Sequence, residues 1–369
     1  MLARYAPEVG LASELTPFWA GGSSGCRDVV GDGGGDGAAW ADALRLRFAE
    51  SPFLMAPMAG VSDAAWRQMA RAGGAALAYT EMVSVAGLHY GGEKTWDLVV
   101  PHDPEPDVAV QLFGADPALF EDAARAVLER LGGRLALLDV NMACPVPKVT
   151  RKGEGSALLD DPERAARIVR ACRRGVEDAV PVTVKVRRGR RTGEEQAPEF
   201  SRAMEEAGAA AVAVHGRFAD QLYRGEASWE AVGRVVRAVG VPVIGSGDVG
   251  GAAEACELRA RTGCAAVMVA RGSYGNPWVF GQAHDLLGGG KMAEKPDDVR
   301  RVRALSLHVR LLAANRAHLA RARSLVGWYL KGMPHATTWR NRAMTCVTLD
   351  DYLALLDEAL EQLGGEARG

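Results

Sequence analysis

The sequence lacks any pair of cysteines in a C-x-x-C arrangement. Its six cysteines are scattered, at Cys26, Cys144, Cys172, Cys256, Cys264 and Cys346. Scattered cysteines argue against a zinc site and against a disulfide framework, so we expect no metal and a reducing compartment. The chain also lacks an apolar run near 18 residues and a basic start followed by an apolar core. We therefore expect a cytoplasmic protein that is neither secreted nor inserted in a membrane.

Acidic residues are absent between positions 300 and 342. The same stretch holds ten basic residues, namely Arg300, Arg301, Arg303, Arg310, Arg316, Arg321, Arg323, Lys331, Arg340 and Arg342. The remainder of the chain carries 34 basic and 46 acidic residues, a net charge of −12, although the whole chain has a net charge of only −2. A basic segment on an acidic body is typical of a protein that binds a polyanion. The alternative is an ordinary solvated helix face.

Short aliphatic runs, each followed by a turn and a helical stretch, recur eight times after position 52. The runs are Phe53–Met58, Ala76–Glu81, Val108–Phe113, Leu135–Asn141, Val180–Val186, Ala210–His215, Val241–Gly245 and Ala265–Ala270. Eight β–α alternations predict an α/β fold, a closed (β/α)₈ TIM barrel. The alternative is a doubly wound open sheet. It is weakened because the first run is followed by Pro57–Gly60 and not by the G-x-G-x-x-G of dinucleotide-binding folds.

The chain divides into three parts. We expect residues 1–38 to be a flexible, Gly-rich N-terminal segment, since eight glycines lie between positions 21 and 37. Residues 39–290 are expected to form the barrel, and residues 291–369 a C-terminal all-helical domain that carries the basic segment. Apolar spacing in this domain predicts helices over Val302–Arg310, Leu311–Leu330 and Leu349–Leu363.

The run over residues 137–145 is the reference point for interpreting the other runs. It reads as a buried parallel strand that ends in Asn141, Cys144 and Pro145. Proline has no N–H for a sheet, so Pro145 ends the strand and places Cys144 beyond it. Ligands of barrels bind at this end of the strands, which makes Cys144 a candidate site residue. The alternative is a buried structural thiol. A free thiol has a pKa of about 8.5, so it can act as an acid near neutral pH.

Polar residues follow several of the other runs. Lys185 lies in an apolar strand, where an ammonium is costly unless it faces a polar cavity or an anion. The alternative is an edge-strand lysine that reaches solvent. His215, which follows an aliphatic run, is either a site residue or a hydrogen-bonded core histidine. The loops that begin at Gly245 and Ala270 are Gly-rich, as phosphate-binding loops are. Together these features suit FMN, although other phosphorylated ligands remain open.

Two basic loops follow the fourth and fifth strands. Lys148, Arg151 and Lys152 lie in the first of these loops, and Arg187 begins the second. Tyr223 follows the sixth strand. Basic and aromatic side chains on one face can hold a nucleic-acid backbone and stack on a base. We therefore place these five residues in the substrate-binding surface.

Seven motifs together resemble the tRNA-dihydrouridine synthases. They are Met55–Asp63, Val110–Gly114, Asp139–Pro145, Gly153–Leu159, Val184–Arg187, Val214–Arg217 and Gly272–Trp278, and Gly327–Gly332 extends the match into the helical domain. The block between Asn141 and Ser156 is the most specific. Ala143 stands where the family usually has Gly, and Ser246 where many members have Asn.

The resemblance implies an FMN enzyme that reduces the C5–C6 double bond of specific uridines in tRNA, with NADPH as the reductant. By position, Cys144 would protonate C5 while reduced flavin delivers hydride to C6, and Asn141 would lie close to the uracil. The residues expected to hold FMN are Pro57, Met58, Ala59, Gln111, Lys185, His215, Ser246, Gly247, Asp248, Ala270 and Arg271. The helical domain would hold the tRNA, and we expect a monomer.

Two alternatives differ from this function in class. The first is an FMN-dependent barrel that acts on a small pyrimidine-like metabolite, which would not need a basic helical domain. The second is a non-catalytic tRNA-binding protein, which would not need Cys144 and Lys185 at strand ends.

Overall fold

The computed structural model describes residues 35–102 and 105–366, so residues 1–34 of the expected flexible segment lie outside the described part. Eight parallel strands form one sheet in the order β1-β8-β7-β6-β5-β4-β3-β2. The strands are β1 Phe53–Met55, β2 Val83–Ser84, β3 Val108–Phe113, β4 Leu135–Met142, β5 Val182–Arg187, β6 Ala211–His215, β7 Val243–Ser246 and β8 Ala266–Val269. The predicted (β/α)₈ fold with a C-terminal helical region is confirmed.

The second predicted strand differs most from expectation. Residues 76–81 do not form a regular strand, and β2 begins only at Val83. The segment still closes the barrel, because Met55 donates its N–H to Leu77 (2.9 Å) and Ala109 donates its N–H to Ala78 (3.1 Å). The segment therefore pairs first with β1 and then with β3. Each pairing consists of a single bridge, Met55 with Ala78 and Tyr79 with Ala109.

Helices surround the barrel and make up the C-terminal region. They are α1 Gly37–Glu50, α2 Ala64–Ala72, α3 Val85–Tyr90, α4 Glu93–Trp96, α5 Pro117–Leu131, α6 Pro147–Thr150, α7 Pro162–Gly175, α8 Ala197–Glu206, α9 Trp229–Ala238, α10 Ala252–Thr262, α11 Val279–Leu287, α12 Asp298–Ala314, α13 Ala322–Tyr329, α14 Ala336–Ala343 and α15 Leu349–Glu366. Helix α7 begins as the sequence predicts, since the Asp161 side chain accepts from the N–H of Arg164 and Pro162 lies in the first turn.

Helix α1 covers the N-terminal end of the barrel. Its buried side chains Trp40, Leu44 and Phe48 belong to the cluster that fills the lower interior of the barrel. Trp40 donates its indole N–H to the carbonyl of Asp178, just before β5 (2.9 Å). Arg47 forms an ion pair with Asp107, just before β3 (2.8 Å). The predicted boundary between the N-terminal segment and the barrel, after residue 38, therefore falls inside α1. The Gly-rich composition before this helix did not indicate where the helix begins.

The helical region differs from the predicted helices. One helix over Leu311–Leu330 was wrong: α12 continues to Ala314, the chain turns at Arg316 with φ +56°, and α13 begins at Ala322. The Asn315 side chain, at the end of α12, donates to Gln68 of α2 (2.9 Å), so a contact with the barrel accompanies this break. Helix α14 was not predicted. Within the described part of the chain, no helix is both long and apolar enough to cross a membrane.

Aromatic rings join the helical region to the barrel. Trp328 of α13 stacks on Tyr274 with ring centroids 4.2 Å apart and an angle of 24° between the planes. Trp66 of α2 packs edge-on against both rings, at 5.4 Å from Trp328 and 5.6 Å from Tyr274. Offset and edge-on aromatic pairs add to the stability of an interface beyond their buried area. The helical region is therefore packed on the barrel close to the end where the strands stop.

Candidate active site

A cavity of about 770 Å³ lies at the carboxyl ends of the strands. All eleven residues predicted to hold the cofactor line it: Pro57, Met58, Ala59, Gln111, Lys185, His215, Ser246, Gly247, Asp248, Ala270 and Arg271. Cys144 and three predicted substrate residues, Asn141, Arg187 and Tyr223, line it as well. The other three predicted substrate residues, Lys148, Arg151 and Lys152, are exposed and lie outside the cavity lining.

A chain of side-chain hydrogen bonds runs from the barrel interior to Cys144. The buried Asp139 carboxylate accepts from Gln111 Nε2 (2.6 Å) and from the Thr183 hydroxyl (2.6 Å). Gln111 Oε1 in turn accepts from Asn141 Nδ2 (2.8 Å). Asn141 Oδ1 then accepts from the backbone N–H of Cys144 (2.9 Å). Each side chain of this hydrogen-bonded series is therefore fixed by its neighbour, and Asn141 fixes the backbone of Cys144.

The loop after Cys144 folds back to hold it. The N–H of Ser156 donates to the Cys144 carbonyl (3.0 Å). Gly155 adopts φ +61°, and a Cβ at this position would lie 2.7 Å from the same carbonyl oxygen. A larger residue would therefore displace the loop. The Cys144 side chain is half-buried, and burial is the main cause that raises the pKa of its thiol. The thiol is accordingly protonated at neutral pH.

Lys185 and His215 face the cavity from β5 and β6. Lys185 is 8% exposed on an interior strand, which rules out an edge-strand lysine in solvent. No described residue accepts a hydrogen bond from its ammonium. Burial, followed by the nearby Arg187, lowers the pKa of Lys185 to about 8. Burial, followed by the cations of Lys185 and Arg187, lowers the pKa of His215 well below its usual value, so this imidazole is neutral.

Arg187 holds two loops together. Its buried guanidinium donates to the carbonyls of Ala143 (3.0 Å), Phe218 (3.0 Å) and Leu222 (2.8 Å). Ala143 precedes Cys144, and Leu222 precedes Tyr223. Arg187 therefore joins the thiol loop to the loop after β6, and its contact with the substrate stays a prediction.

Asp248 organises the loops after β6, β7 and β8. Its carboxylate binds the buried Arg217 through both oxygens (2.7 and 2.8 Å) and accepts from the N–H of Ala227 (2.7 Å). Arg271 lies 3.2 Å from the same carboxylate. The exposed ring of Tyr223 lies under the guanidinium groups of Arg187 (5.6 Å) and Arg271 (5.7 Å).

The two Gly-rich loops leave backbone N–H groups without side-chain caps. Gly247 has φ +119°, which side chains rarely adopt. A Cβ on Gly272 would lie 2.5 Å from the carbonyl of Val249, so the two loops touch each other through backbone. Helix α10 follows Gly251 with no side-chain cap, and uncapped N–H groups at a helix start bind anions. These loops fit a phosphate group at the edge of the cavity.

Sequence reasoning missed three residues of this site. Arg217 ends the motif Val214–Arg217 but was given no role, whereas the structure buries its guanidinium against Asp248. Asp139 was read as part of a strand, yet a carboxylate inside an apolar run requires hydrogen-bond donors. Tyr274 lines the cavity and also contacts Trp328, a contact between distant parts of the chain.

Comparison with known proteins gives one family. The family model described as Dihydrouridine synthase (Dus) matches residues 54–363. The probable tRNA-dihydrouridine synthase of Treponema pallidum (strain Nichols) is 34% identical over 321 residues, which cover 84% of this chain and 94% of that protein. The tRNA-dihydrouridine synthase B of Xanthomonas axonopodis pv. citri is 34% identical, covering 84% and 93%. The tRNA-dihydrouridine synthase B of Pseudomonas aeruginosa is 36% identical, covering 78% and 86%.

Proposed function

The chain belongs to the dihydrouridine synthase family, and on that premise we propose that it reduces the C5–C6 double bond of specific uridines in tRNA, with FMN as cofactor and NADPH as reductant. The observation that carries this proposal is that a protonated thiol, Cys144, shares one cavity with two Gly-rich loops and with the ammonium of Lys185, from which no described residue accepts a hydrogen bond. A small-metabolite reductase would not need the exposed cations that the helical region carries.

The residues present fit FMN. The described residues offer no acceptor to Lys185, so an anionic or electron-rich edge of a ligand would satisfy its ammonium. The loops around Gly247 and Gly272 supply N–H groups for the phosphate, with Arg271 beside them. Gln111 and His215 contribute neutral polar groups to the cavity. The chemistry that FMN supplies when bound is hydride transfer to C6 of the uracil, after reduction by NADPH.

Cys144 supplies the proton in this proposal. Its raised pKa keeps hydrogen on sulfur, so the S–H bond can break as a C5–H bond forms. Asn141 and Arg187 bind the N–H and the carbonyl of the peptide group that joins Ala143 to Cys144, and so aim the thiol at the cavity. The resulting thiolate lies near the cations of Lys185 and Arg187, which favour its charge.

The target uridine has to leave its stack to enter the cavity, as in other enzymes that act on bases. Tyr223 is 63% exposed at the rim, which supports a role for its ring in stacking on a base. Exposed cations of the helical domain, residues 291–369, hold the tRNA body. A tRNA substrate is consistent with a cytoplasmic protein, and we retain the expectation of a monomer.

The proposed function is tested with the purified full chain, FMN, NADPH and an unmodified tRNA transcript. We expect a yellow protein, or one that takes up FMN on reconstitution, and dihydrouridine in the tRNA after incubation. Omitting tRNA should leave NADPH consumption slow. A chain that binds no FMN, or that binds FMN yet leaves every uridine intact in a panel of transcripts, would refute the proposal.

A further inference from the structure

We propose that Arg321 is a positioning residue of the cofactor loop, defined as residues 57–63, and not a ligand of tRNA phosphates. The inference deepens the proposed function and rests on FMN being the cofactor. Arg321 belongs by sequence to the basic segment, which predicted a role in binding a polyanion. Its geometry gives it a different role, because it reaches from the helical region to the edge of the cavity.

Arg321 contacts two carboxylates of the barrel. Its Nη1 lies 2.9 Å from Asp63 Oδ2 and 2.8 Å from Glu81 Oε1. The Asp63 and Glu81 side chains are only 12% and 11% exposed, whereas that of Arg321 is 31% exposed. The charge of both carboxylates is therefore stabilised by this one guanidinium more than by water. A phosphate that approached Arg321 would be repelled by the two carboxylates that already bind the guanidinium.

The same two carboxylates hold the cofactor loop. Glu81 Oε2 accepts the backbone N–H of Gly60 (2.5 Å), and Asp63 Oδ1 accepts the N–H of Trp66 at the start of α2 (2.9 Å). Inside the loop, the Ser62 hydroxyl accepts the N–H of Met58 (2.9 Å). The middle of the loop, at Gly60, and its C-terminal end, at Asp63, are thus held by the two carboxylates that Arg321 binds.

The loop in turn forms one wall of the cavity, since Pro57, Met58 and Ala59 line it. Removing the guanidinium would leave Asp63 and Glu81 as neighbouring buried charges with no shared cation. Burial is the largest cause acting on Asp63 and raises its pKa, while Arg321 is the main side chain opposing that shift. Repulsion between the carboxylates would move the loop, and with it the wall of the cavity.

This arrangement links the helical region to the flavin site by charge. The aromatic contact between Trp328 and Tyr274 is a second link, because Tyr274 also lines the cavity. Arg321 therefore connects the part of the chain proposed to hold tRNA with the part proposed to hold FMN.

A double-mutant cycle on FMN affinity tests the inference. The variants are Arg321→Gln, Glu81→Gln and the double variant, with FMN Kd measured by quenching of flavin fluorescence. We expect Arg321→Gln to weaken FMN binding about 10-fold, a loss of about 1.4 kcal/mol. The double variant should bind FMN no more weakly than Arg321→Gln, because two neutral side chains remove the repulsion. Additive losses would contradict a shared role.

The salt dependence of tRNA binding gives an independent readout. We expect Arg321→Gln to leave the slope of log Kd against log salt unchanged, whereas losing a phosphate ligand lowers it by about one. An Arg321→Gln variant with normal FMN affinity and a slope lowered by about one would overturn the inference. If this variant does not fold, Arg321→Met, which also removes the charge, carries the same two measurements. A wild-type chain that binds no FMN would instead refute the proposed function.

Discussion

The Gln111 side-chain amide donates a 2.6 Å hydrogen bond to the Asp139 carboxylate. A carboxylate can only accept, so this bond fixes which end of the Gln111 amide points toward Asp139. Gln111 then presents oxygen to Asn141, and Asn141 presents oxygen to the N–H of Cys144. One buried charge thereby sets the direction of every bond up to the thiol residue.

Asp139→Asn tests this direction. An asparagine at position 139 can donate to Gln111, which allows both downstream amides to flip and face the Cys144 N–H with a donor. Leaving such a group unpaired costs about 1–3 kcal/mol, so we expect flavin oxidation by tRNA to slow roughly 10- to 100-fold. The measurement is single-turnover oxidation of the reduced flavin at saturating FMN.

Thr183→Val is the matched control for Asp139→Asn. It removes the second donor to the carboxylate but keeps the charge that orients Gln111. Burial raises the pKa of Asp139 to about 6, so the comparison is made at pH 8, where the carboxylate is ionised. We expect the smaller loss in Thr183→Val. Equal losses in the two variants would show that any disturbed hydrogen bond at position 139, and not the orientation of the Gln111 amide, slows the reaction.

FMN affinity should depend on the charge of Lys185. The folded protein lowers the pKa of Lys185 to about 8, mainly by burial, so its ammonium is present below pH 8 and lost above it. We expect FMN to bind more weakly as pH rises from 7 to 9. Bound FMN favours the charged form, so binding above pH 8 should take up a proton. In Lys185→Met, affinity should be weaker and independent of pH over this range, and a retained pH dependence would exclude Lys185 as its source.

Helix α1 should contribute strongly to stability. Leu44 is fully buried against the barrel interior, whereas Leu46 of the same helix is 55% exposed. Leu44→Ala should lower the free energy of unfolding by about 2–5 kcal/mol, because it opens a cavity in the core. Leu46→Ala should change it by less than about 0.5 kcal/mol. Urea unfolding of the full chain measures both, and equal effects would show that α1 is not packed on the barrel as described.

Binding of tRNA should weaken steeply as salt rises, because phosphate contacts release counterions. Four residues of the basic segment are exposed and have no charged partner among the described residues: Arg303, Arg316, Lys331 and Arg340. Changing Arg303, Arg316 and Arg340 to Gln should lower the slope of log Kd against log salt, by about one for each that contacts a phosphate. A flat salt response of the wild-type protein would exclude the basic segment as the tRNA contact.

The strand ends were predictable from sequence because the physics there is local. An aliphatic run followed by a breaker gave the end of β4 and placed Asn141 and Cys144 beyond it. Once eight such runs indicated a barrel, their polar ends had to converge on one face. The segment at residues 76–81 was harder, because its bonding divides between two neighbours and local sequence does not show that.

The roles of individual arginines were not predictable. Arg187 follows a strand like a site residue, but its bonds go to the carbonyls of distant loops. Arg301, Arg321 and Arg342 count as basic in the sequence, yet they pair with Asp298, with Asp63 and Glu81, and with Glu358. A count of charges cannot show which cations the fold has already paired.

The proton-donor role of Cys144 is the central claim, and one measurement tests it most directly. The flavin of the wild-type protein and of Cys144→Ala is reduced with NADPH without oxygen, mixed with unmodified tRNA, and its oxidation is followed together with dihydrouridine content. We predict one dihydrouridine per flavin oxidised by the wild type. In Cys144→Ala, flavin and tRNA should bind normally while the rate falls by about 10²- to 10⁴-fold. Oxidation by Cys144→Ala at the wild-type rate, with full dihydrouridine yield, would contradict the account.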